Sequence, residues 1–396
     1  MQKIELSYAL ARETNVRHMG SAGGAIRNPL LDLLHAVSES GSISAAAKSL
    51  DLSYRHVWGE LKRWEATLER SLIVWEKGQP ARLSAFGEKL LWAERQAQAR
   101  LAPQIEALHA DLERAFAVAF DDTAQVLTFY ASHDDALSAL REHASAQGLH
   151  LDIRFTGSVD AIGALNEGRC TMAGFHASSA ATAPPPRSVA GDTPTADAAA
   201  TLTQRTYQPL LKPGLHKLIG FARRTQGLVV APGNPLALTG LVDVARTGAR
   251  FVNRALGTGT RLLTSELLAQ AQLLPARIDG WDRIEPSHGA IAQAVASGAA
   301  DAGMAIEAAA RARGIGFVPL ALEDYYLVCL KSALDQPATL ALLTLLRSEA
   351  WQARLARLPG YQPVNSGQVL SLRRQFPWWR YVRPKRKTLI RPTHPD

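Results

Sequence analysis

The apolar residues of segment 41–68 recur at helical spacing in two blocks, separated by a short polar turn at 51–53. The spacing predicts one helix over the first block and a second helix from about Tyr54 to Leu68. Ser53 stands directly before the second helix, where its hydroxyl can cap the first backbone N–H groups. Two helices joined by so short a turn are typical of a helix-turn-helix. The positions predicted to point inward are Ile43, Ala46, Ala47, Leu50, Val57, Leu61 and Trp64.

Flanking elements extend this pair to a winged helix-turn-helix over residues 28–83. Asn28 and Pro29 supply an N-cap and a first-turn proline for a preceding helix that ends near Gly41. After the second helix, the apolar segments 72–75 and 81–83 predict a short hairpin around a turn at 77–80. This hairpin would be the wing, placed beside the phosphates of bound DNA.

The outward face of the second helix is polar and basic, as expected of a recognition helix that enters a major groove. We predict contacts with double-stranded DNA from this face and from the wing. The alternative is a plain helical hairpin whose charged face meets only water. The predicted DNA-contacting residues are Ser53, Tyr54, Arg55, His56, Lys62, Arg63, Lys77 and Arg82.

A long linker helix is predicted over 84–120, capped by Ser84 and kinked at Pro103. Its apolar residues lie three or four apart and form a seam that requires a partner. The same helix of a second subunit would give a homodimer, or a higher oligomer built from it, with two recognition helices about one DNA turn apart. Packing of the seam on the C-terminal domain is the alternative. The seam comprises Leu90, Leu91, Ala97, Leu101, Ile105, Leu108, Leu112 and Phe116.

From residue 125 onward, strand-like segments alternate with helical ones. Strands at 126–130, 151–155 and 170–175, with helices between them, predict a βαβαβ unit. In such a parallel sheet the ligand site lies at the C-terminal ends of the strands.

A second αβ unit continues the pattern to residue 361. The segments 218–222 and 227–230 are expected to cross to another lobe, and 316–320 and 325–330 to return from it. Two αβ lobes joined by crossing strands enclose a cleft. The chain therefore predicts a two-lobed α/β domain over 125–361.

Three further segments carry no regular pattern. Residues 1–27 form an N-terminal arm, and residues 178–200, rich in Ala, Pro, Ser and Thr, are predicted to be a flexible insertion. Residues 362–396 form a basic, aromatic tail. Its Trp378, Trp379 and Tyr381 could stack on nucleic acid or pack on the domain.

The net charge of +8 lies mostly in this tail, since 371–396 holds eight basic residues and one acidic residue. Residues 28–120 hold eleven basic and twelve acidic residues. The predicted DNA binding therefore depends on the geometry of the motif and on local clustering of basic side chains, not on the overall charge.

Length and composition limit the class of protein. A chain of 396 residues with 47% hydrophobic residues suggests two or three globular domains. It has no uninterrupted apolar run of about 18 residues and no secretion signal, so we expect a cytoplasmic protein without a membrane span. Cys170 and Cys329 lack metal-ligand spacing and are expected to be reduced thiols.

The N-terminal motifs resemble a known family. GSIS at 41–44, SYRHVW at 53–58 and LSAFGEKLL at 83–91 resemble the DNA-binding domain of ModE-type molybdate-responsive regulators, and more loosely that of LysR-type regulators. This resemblance implies a transcriptional regulator.

The C-terminal motifs resemble a second family, the periplasmic-binding-protein-like domain of type II. They are ASHD at 131–134, AGFH at 173–176, FVNRALGTGTR at 251–261, the Ser287-His288 pair and GAADAGMAI at 298–306. Such domains occur in cytoplasmic regulators and beside molybdopterin-biosynthesis domains. The fold class is therefore mixed: an α-rich winged helix-turn-helix, a long linker helix and a two-lobed α/β domain.

The cleft of this domain suits anion capture. Residues 258–260 begin a helix, so backbone N–H groups and hydroxyls can converge on an oxyanion while arginines add charge. Asp134 and Asp301 are expected to orient these groups or cap helices. For each histidine a purely structural role is the alternative. The predicted effector-binding residues are Ser132, His133, His176, Asn253, Arg254, Thr258, Gly259, Thr260, Arg261, Ser287 and His288.

Together the two resemblances imply a non-enzymatic regulator that requires no cofactor. Its effector would be molybdate, tungstate or the molybdenum cofactor, and its targets genes of molybdenum metabolism or of a molybdoenzyme such as a formate dehydrogenase. A different small anion fits the physical argument equally well. The alternatives are an enzyme that acts on molybdopterin, although no catalytic motif stands out, and a molybdate- or molybdopterin-binding protein whose winged helix serves only in dimerisation.

Overall fold

A computed structural model describes residues 28–74, 80–120, 124–178 and 200–379. The chain divides into two compact units. The first contains the described residues up to Glu94 together with Gln104–His109, and the second contains Arg95–Pro103 and the described residues from Ala110 onward. The predictions made for the N-terminal arm, the wing turn with Lys77, nearly all of the insertion and the basic residues beyond 379 lie outside the described residues. The domain limits stay a prediction.

The first unit contains the helix-turn-helix in the predicted order. Asn28 accepts a hydrogen bond from Leu30 N at 3.0 Å and thereby caps the first helix, and Ser53 caps the third by accepting from His56 N at 3.1 Å. The three predicted helices and the two predicted strands are all confirmed. They are α1 (Pro29–Ser40), α2 (Ile43–Ser49), α3 (Tyr54–Leu68), β1 (Ile73–Val74) and β2 (Arg82–Leu83).

The predicted inward face of these helices forms the core of the first unit. Val57 and Leu61 of α3 are buried against Leu34 and Val37 of α1, while Trp64 is half-buried at the edge of the same cluster. The apolar pattern of the sequence was therefore sufficient to orient α3 and to leave its basic face exposed.

The linker helix α4 spans Ala85–Phe120 and includes Pro103 without ending there. Ser84 caps it, accepting from Gly87 N at 3.0 Å. Its apolar residues are not all on one buried seam: Leu91 joins the core of the first unit, whereas Leu101 and Leu108 are 44% and 61% exposed. No helix of the described residues is both long enough and apolar enough to cross a bilayer.

The second unit is built on one mixed sheet with helices packed on both faces. Its described strands hydrogen-bond in the order β4-β3-β5-β10-β6-β9-β7-β8, and β11 and β12 pair with β6. The strands are β3 (Gln125–Ala131), β4 (Leu149–Phe155), β5 (Met172–Ser178), β6 (His216–Val230), β7 (Phe251–Arg254), β8 (Ile284–Glu285), β9 (Ala302–Ile306), β10 (Gly316–Leu330), β11 (Tyr361–Gln362) and β12 (Val369–Leu370). The helices are α5 (Asp135–Ser145), α6 (Ser158–Asn166), α7 (Leu202–Tyr207), α8 (Leu241–Thr247), α9 (Gly259–Gln270), α10 (His288–Ala296), α11 (Glu307–Arg311), α12 (Pro337–Arg347), α13 (Glu349–Ala356) and α14 (Leu372–Gln375).

The predicted βαβαβ unit is confirmed, because β3 pairs in parallel with both β4 and β5. The crossing segments require a correction. We predicted two strands on each side of the crossing, but β6 and β10 are single strands of 15 residues that pair antiparallel along their length. Lobe I contains β3, β4 and β5, and lobe II contains β7, β8 and β9. Residues 323–329 of β10 pair with β5 in lobe I, and residues 226–230 of β6 pair with β9 in lobe II, so the two long strands run through both lobes.

Two smaller predictions concern the tail and the cysteines. Phe376 and Trp378 are buried beside Phe175, so the described start of the tail packs its aromatic rings on lobe I. Cys170 and Cys329 are buried free thiols, as expected, and burial raises the pKa of each to about 11.

Candidate effector cleft and DNA-contacting helix

The exposed face of α3 carries the residues predicted to contact DNA. Lys62 pairs with Glu65 at 2.8 Å and lies over the Trp58 ring, and Arg63 pairs with Glu60. Arg55 is exposed and forms no ion pair with any described residue. Tyr54 and His56 on α3, and Arg82 on β2, are also exposed, whereas the Ser53 hydroxyl is engaged as the helix cap.

The centre of the cleft between the two lobes is a buried arginine on the crossing strand β6. Arg224 pairs with Asp134 through Nη1, and its Nε and Nη2 donate to Glu323 Oε2 at 3.1 and 2.9 Å. Burial acts to lower the pKa of Arg224, but Glu323 and Asp134 outweigh it and raise the pKa. Burial likewise acts to raise the pKa of Asp134, yet Arg224 holds it well below its usual range. Arg224 and Asp134 are therefore both charged at neutral pH.

The cleft is closed by direct contacts between the lobes. Gln226 Nε2 donates to Glu323 Oε2 and to Thr260 Oγ1, each at 2.8 Å, which ties the crossing strand to the first turn of α9. Val159 N donates to Gly257 O at 3.2 Å across the opening. Gly259 is required here, since a Cβ at that position would lie 2.9 Å from His176 Cβ.

A group of buried polar atoms around this cluster has no hydrogen-bond partner in the described part of the chain. Buried polar groups are normally satisfied, so such a group indicates a place where a ligand or ordered water completes the bonding. The His176 ring lies 3.9 Å from the Tyr325 ring, which brings lobe I donors together. The atoms are Ser132 Oγ, Ser158 Oγ, His176 Nδ1 and Nε2, Tyr207 OH, Gln226 Oε1, Arg254 Nε, His288 Nδ1 and Tyr325 OH.

Arg254 is a basic group of the cleft that has no acidic partner in the described part of the chain. It is 2% exposed, its Nη1 donates to the backbone oxygen of Glu285 at 3.3 Å, and it contacts no carboxylate among the described residues. Burial and then the positive charge of Arg224 lower the pKa of Arg254 to about 10. Arg254 is therefore still cationic at neutral pH, and a bound anion would offset its burial.

The two cleft histidines are uncharged at neutral pH. Burial, followed by the charge of Arg224, lowers the pKa of His176. Burial and the charges of Arg224 and Arg254 lower the pKa of His288 well below its usual value. Both rings can therefore donate and accept hydrogen bonds toward a ligand without adding charge.

Several predicted site residues are held by contacts within one lobe. Arg261 Nη1 donates to Trp281 O at 2.9 Å and its guanidinium stacks on that ring, while Asn253 Nδ2 donates to the same oxygen at 3.4 Å. Thr258 caps α9, Ser287 caps α10, and His133 packs against Phe155. Direct contact of these residues with an effector stays a prediction. The residues brought together in the cleft are Ser132, His176, Arg254, Gly259, Thr260 and His288.

The sequence reading missed the residues of the crossing strands. Arg224, Gln226 and Glu323 are fully buried, and each interrupts a strand that is otherwise largely apolar. That interruption was the available signal. Ser158, Tyr207, Tyr325 and Tyr361 carried no comparable signal. In the described ranges, no three His, Cys, Asp or Glu side chains lie close enough together to hold a metal ion.

Comparison with known proteins identifies the family. The family model described as PBP superfamily domain matches residues 139–347, more than half of the chain. The chain belongs to the PBP superfamily. Residues 29–88 of this PBP superfamily member match a second model, described as bacterial regulatory helix-turn-helix protein, lysR family. The first match lies within the second unit, and the second match covers the helix-turn-helix and the start of the linker helix.

Two curated relatives are uncharacterized. YvgK of Bacillus subtilis (strain 168) is 37% identical over 153 residues, which are 39% of this chain and 49% of YvgK. An uncharacterized protein in the ferredoxin 2Fe-2S gene 5′ region of Clostridium pasteurianum is 31% identical over 111 residues, which are 28% of this chain and 98% of that protein. The chain thus spans about half the length of YvgK.

Solved structures of LysR-type regulators have distant similarity to this chain. Full-length CbnR in complex with its target DNA is 17% identical with a TM-score of 0.38, and the match covers 79% of this chain and 95% of CbnR. The regulator LysG from Corynebacterium glutamicum with bound effector Arg is 18% identical with a TM-score of 0.36, and the match covers 81% of this chain and 96% of LysG.

Proposed function

We propose that this chain is a DNA-binding transcriptional regulator of LysR type, which binds a small anion in the cleft and changes its DNA binding in response. The observation that carries the proposal is Arg254, a buried guanidinium with no carboxylate partner among the described residues. An anion beside it would supply the missing charge and accept hydrogen bonds from the hydroxyls of Ser132 and Tyr325. The protein acts by binding and not by catalysis.

The effector we propose first is molybdate, with tungstate and the molybdenum cofactor as related candidates. The support for molybdenum is the resemblance of the ASHD, AGFH and GTGT segments to molybdenum-associated domains. The regulated genes would then belong to molybdenum metabolism or to a molybdoenzyme such as a formate dehydrogenase. The cleft chemistry supports the wider class, a small oxyanion, because hydroxyl and guanidinium donors surround it.

We also propose that the regulator is a homodimer formed through α4. Leu101 and Leu108 are both exposed and lie seven residues apart, which is the repeat of a coiled-coil seam. Pairing of this face with a second copy would remove both side chains from water.

The first experiment measures binding of the full chain to the region upstream of its own gene. It is done with and without molybdate and at two salt concentrations, beside the variant Arg254→Met. We expect a specific, salt-sensitive complex whose affinity changes with molybdate in the wild type and not in R254M. A response to tungstate or sulfate alone would keep the anion site and replace molybdate as its ligand.

The alternative is a molybdate- or molybdopterin-binding protein, or an enzyme of that metabolism, without regulatory DNA binding. Molybdate binding with no specific DNA complex at any tested promoter would support this alternative. An identical response of R254M and the wild type to every anion would remove the proposed site.

A further inference from the structure

The segment 95–103 of the linker helix is bound to the second unit by a two-point ion pair. Arg100 Nε and Nη2 donate to the two carboxylate oxygens of Glu285 at 3.1 and 2.8 Å. Glu285 is 2% exposed, whereas Arg100 is largely exposed. A buried carboxylate held in this geometry depends on its partner, because removal of the partner leaves a charge without compensation.

The same helical segment contacts both ends of α10. Ser287, the N-cap of α10, donates through Oγ to Ala99 O at 3.3 Å. At the other end, Gln96 Nε2 donates to Ser297 Oγ at 2.8 Å. Residues 96–100 therefore hold β8, the loop 285–288 and the full length of α10 in one position.

The loop 285–288 is also a wall of the proposed anion cleft. The backbone oxygen of Glu285 accepts from Arg254 Nη1 at 3.3 Å, and Arg254 and Glu285 are register partners in the parallel pair β7-β8. His288 follows directly and is fully buried beside the cleft cations. The loop 285–288 thus contacts the linker helix on one side and contributes Glu285 O and His288 to the cleft on the other.

We propose that Arg100 is a positioning residue of the effector cleft, and that its ion pair with Glu285 couples effector binding to the linker helix. The ligand side of this proposal rests on the proposed function. An anion bound to Arg254 weakens the hydrogen bond from its guanidinium to Glu285 O. The loop 285–288, which contacts α4, then shifts. Because coupling between two sites is reciprocal, loosening α4 must also alter the cleft. α4 leads directly from the wing strand β2, so this contact connects effector and DNA-binding segments along the chain.

The test is amide hydrogen exchange, read by mass spectrometry, on the full chain and its variants. Arg100→Met should speed exchange in 285–296 about fivefold or more, and Arg254→Met should speed exchange in 95–103 by a similar factor. Glu285→Gln, which keeps the shape of the side chain, should reproduce both effects. The matched control is Arg114→Met, on the same helix, where Arg114 lies 3.6 Å from Asp152 of lobe I. R114M should change neither segment.

The same exchange measurements with added molybdate distinguish this proposal from the proposed function. If molybdate slows exchange around Arg254 and changes exchange in 95–103 of the wild type but not of R100M, both the proposed function and the coupling are supported. Reciprocal effects of R100M and R254M without any effect of molybdate keep the coupling and reject molybdate as the ligand. The coupling is overturned if R100M leaves 285–296 unchanged, if R254M leaves 95–103 unchanged, or if molybdate protects the cleft and leaves 95–103 as it was.

Discussion

The phenolic oxygen of Tyr361 donates a 2.9 Å hydrogen bond to Asp134 Oδ2, across 227 residues of sequence. Tyr361 begins β11, which pairs with β6 at Arg224, the residue that binds the same carboxylate. Three distant segments therefore meet at Asp134. This carboxylate also caps α5 by accepting from Ala136 N at 2.9 Å, so it fixes both the cleft and the helix beside it.

The first prediction concerns the charge of Asp134. Asp134→Asn keeps a side chain that can cap α5 but removes the negative partner of buried Arg224. We expect the free energy of unfolding to fall by about 3 kcal/mol, the usual effect of breaking a buried ion pair. Urea unfolding at pH 7 measures it.

The control for this change is Asp301→Asn. Asp301 pairs with Arg250 at 2.7 Å on the surface of lobe II, where solvent weakens the pair. We expect a much smaller loss there. Equal losses of unfolding free energy in the two variants would mean that burial does not make the Asp134 ion pair contribute more to stability than a surface pair.

The second prediction concerns stability below pH 6.5. Burial and the nearby Lys212 lower the pKa of His216 to about 4, and the pKa values of His176 and His288 are also lowered. The unfolded chain therefore takes up protons between about pH 6.5 and 4 that the folded chain does not, and stability falls as pH falls through this window. Asp134 adds its own loss only below about pH 4, because its folded pKa is depressed.

Urea unfolding at pH 7.5 and pH 5 tests this sign. The decline should be smaller in His216→Gln by on the order of 1 kcal/mol, because this variant lacks the imidazole that takes up a proton in the unfolded chain. His150→Gln, at a half-buried position on β4, serves as the control. A rise in stability on acidification to pH 5 would contradict the prediction.

The third prediction concerns Arg55 on the recognition helix. Lys62 and Arg63 already pair with Glu65 and Glu60, so Arg55 is the α3 cation most available to DNA. Arg55→Ala should weaken specific binding about tenfold. If Arg55 contacts a phosphate, loss of that contact reduces the magnitude of the slope of log K against log salt by about 0.9. Fluorescence anisotropy over a salt series measures both.

The matched control on this unit is Arg70→Ala. Arg70 lies over the Phe86 ring beyond the end of α3 and is not among the predicted contacts. We expect its DNA affinity to stay near that of the wild type. If R55A and R70A bind alike, the face of α3 does not carry the contact.

The fourth prediction concerns closure of the cleft at Gly157. A Cβ there would lie 2.9 Å from the backbone oxygen of Gly257 in the other lobe, and backbone cannot move aside as a side chain can. Gly157→Ala should separate the lobes at this point. The Val159 amide, which donates to Gly257 O at 3.2 Å, should then exchange faster.

Gly163→Ala is the control, on the same helix α6. A Cβ at Gly163 meets nothing within 4 Å, so alanine should fit and stabilise the helix by about 0.5 to 1 kcal/mol. Its Val159 amide should exchange as in the wild type. Slow exchange of Val159 in G157A would show that this contact does not close the cleft.

Much of the secondary structure was readable from the sequence because helix starts depend on near neighbours. Ser53 caps the helix that the sequence assigned to it, and Thr258 and Ser287 cap α9 and α10. The same locality gives two predicted ligand groups a structural role as well. The hydroxyls of Thr258 and Ser287 accept from backbone N–H groups three residues ahead, and their contact with an effector stays a prediction.

Residues that line the cleft were partly predictable. Ser132 and His176 follow or lie on predicted strands, and Arg254 ends one, so the rule for parallel sheets placed them at the cleft. Arg224 and Glu323 were not predicted as cleft residues because they lie in the middle of long strands, where no sequence neighbour explains a charge. Their pairing joins positions 99 residues apart, and nothing in either segment alone specifies the other.

The sequence by itself determined the helix-turn-helix, the βαβαβ order and the buried faces of α2 and α3, since periodicity and capping act over a few residues. Only the tertiary structure decided which polar groups meet. It placed Arg224 between Asp134 and Glu323, left Arg254 without an acidic partner in the described chain, and turned Glu285 toward Arg100. The physical reason is that burial makes charges depend on partners far away in sequence, and only packing selects those partners.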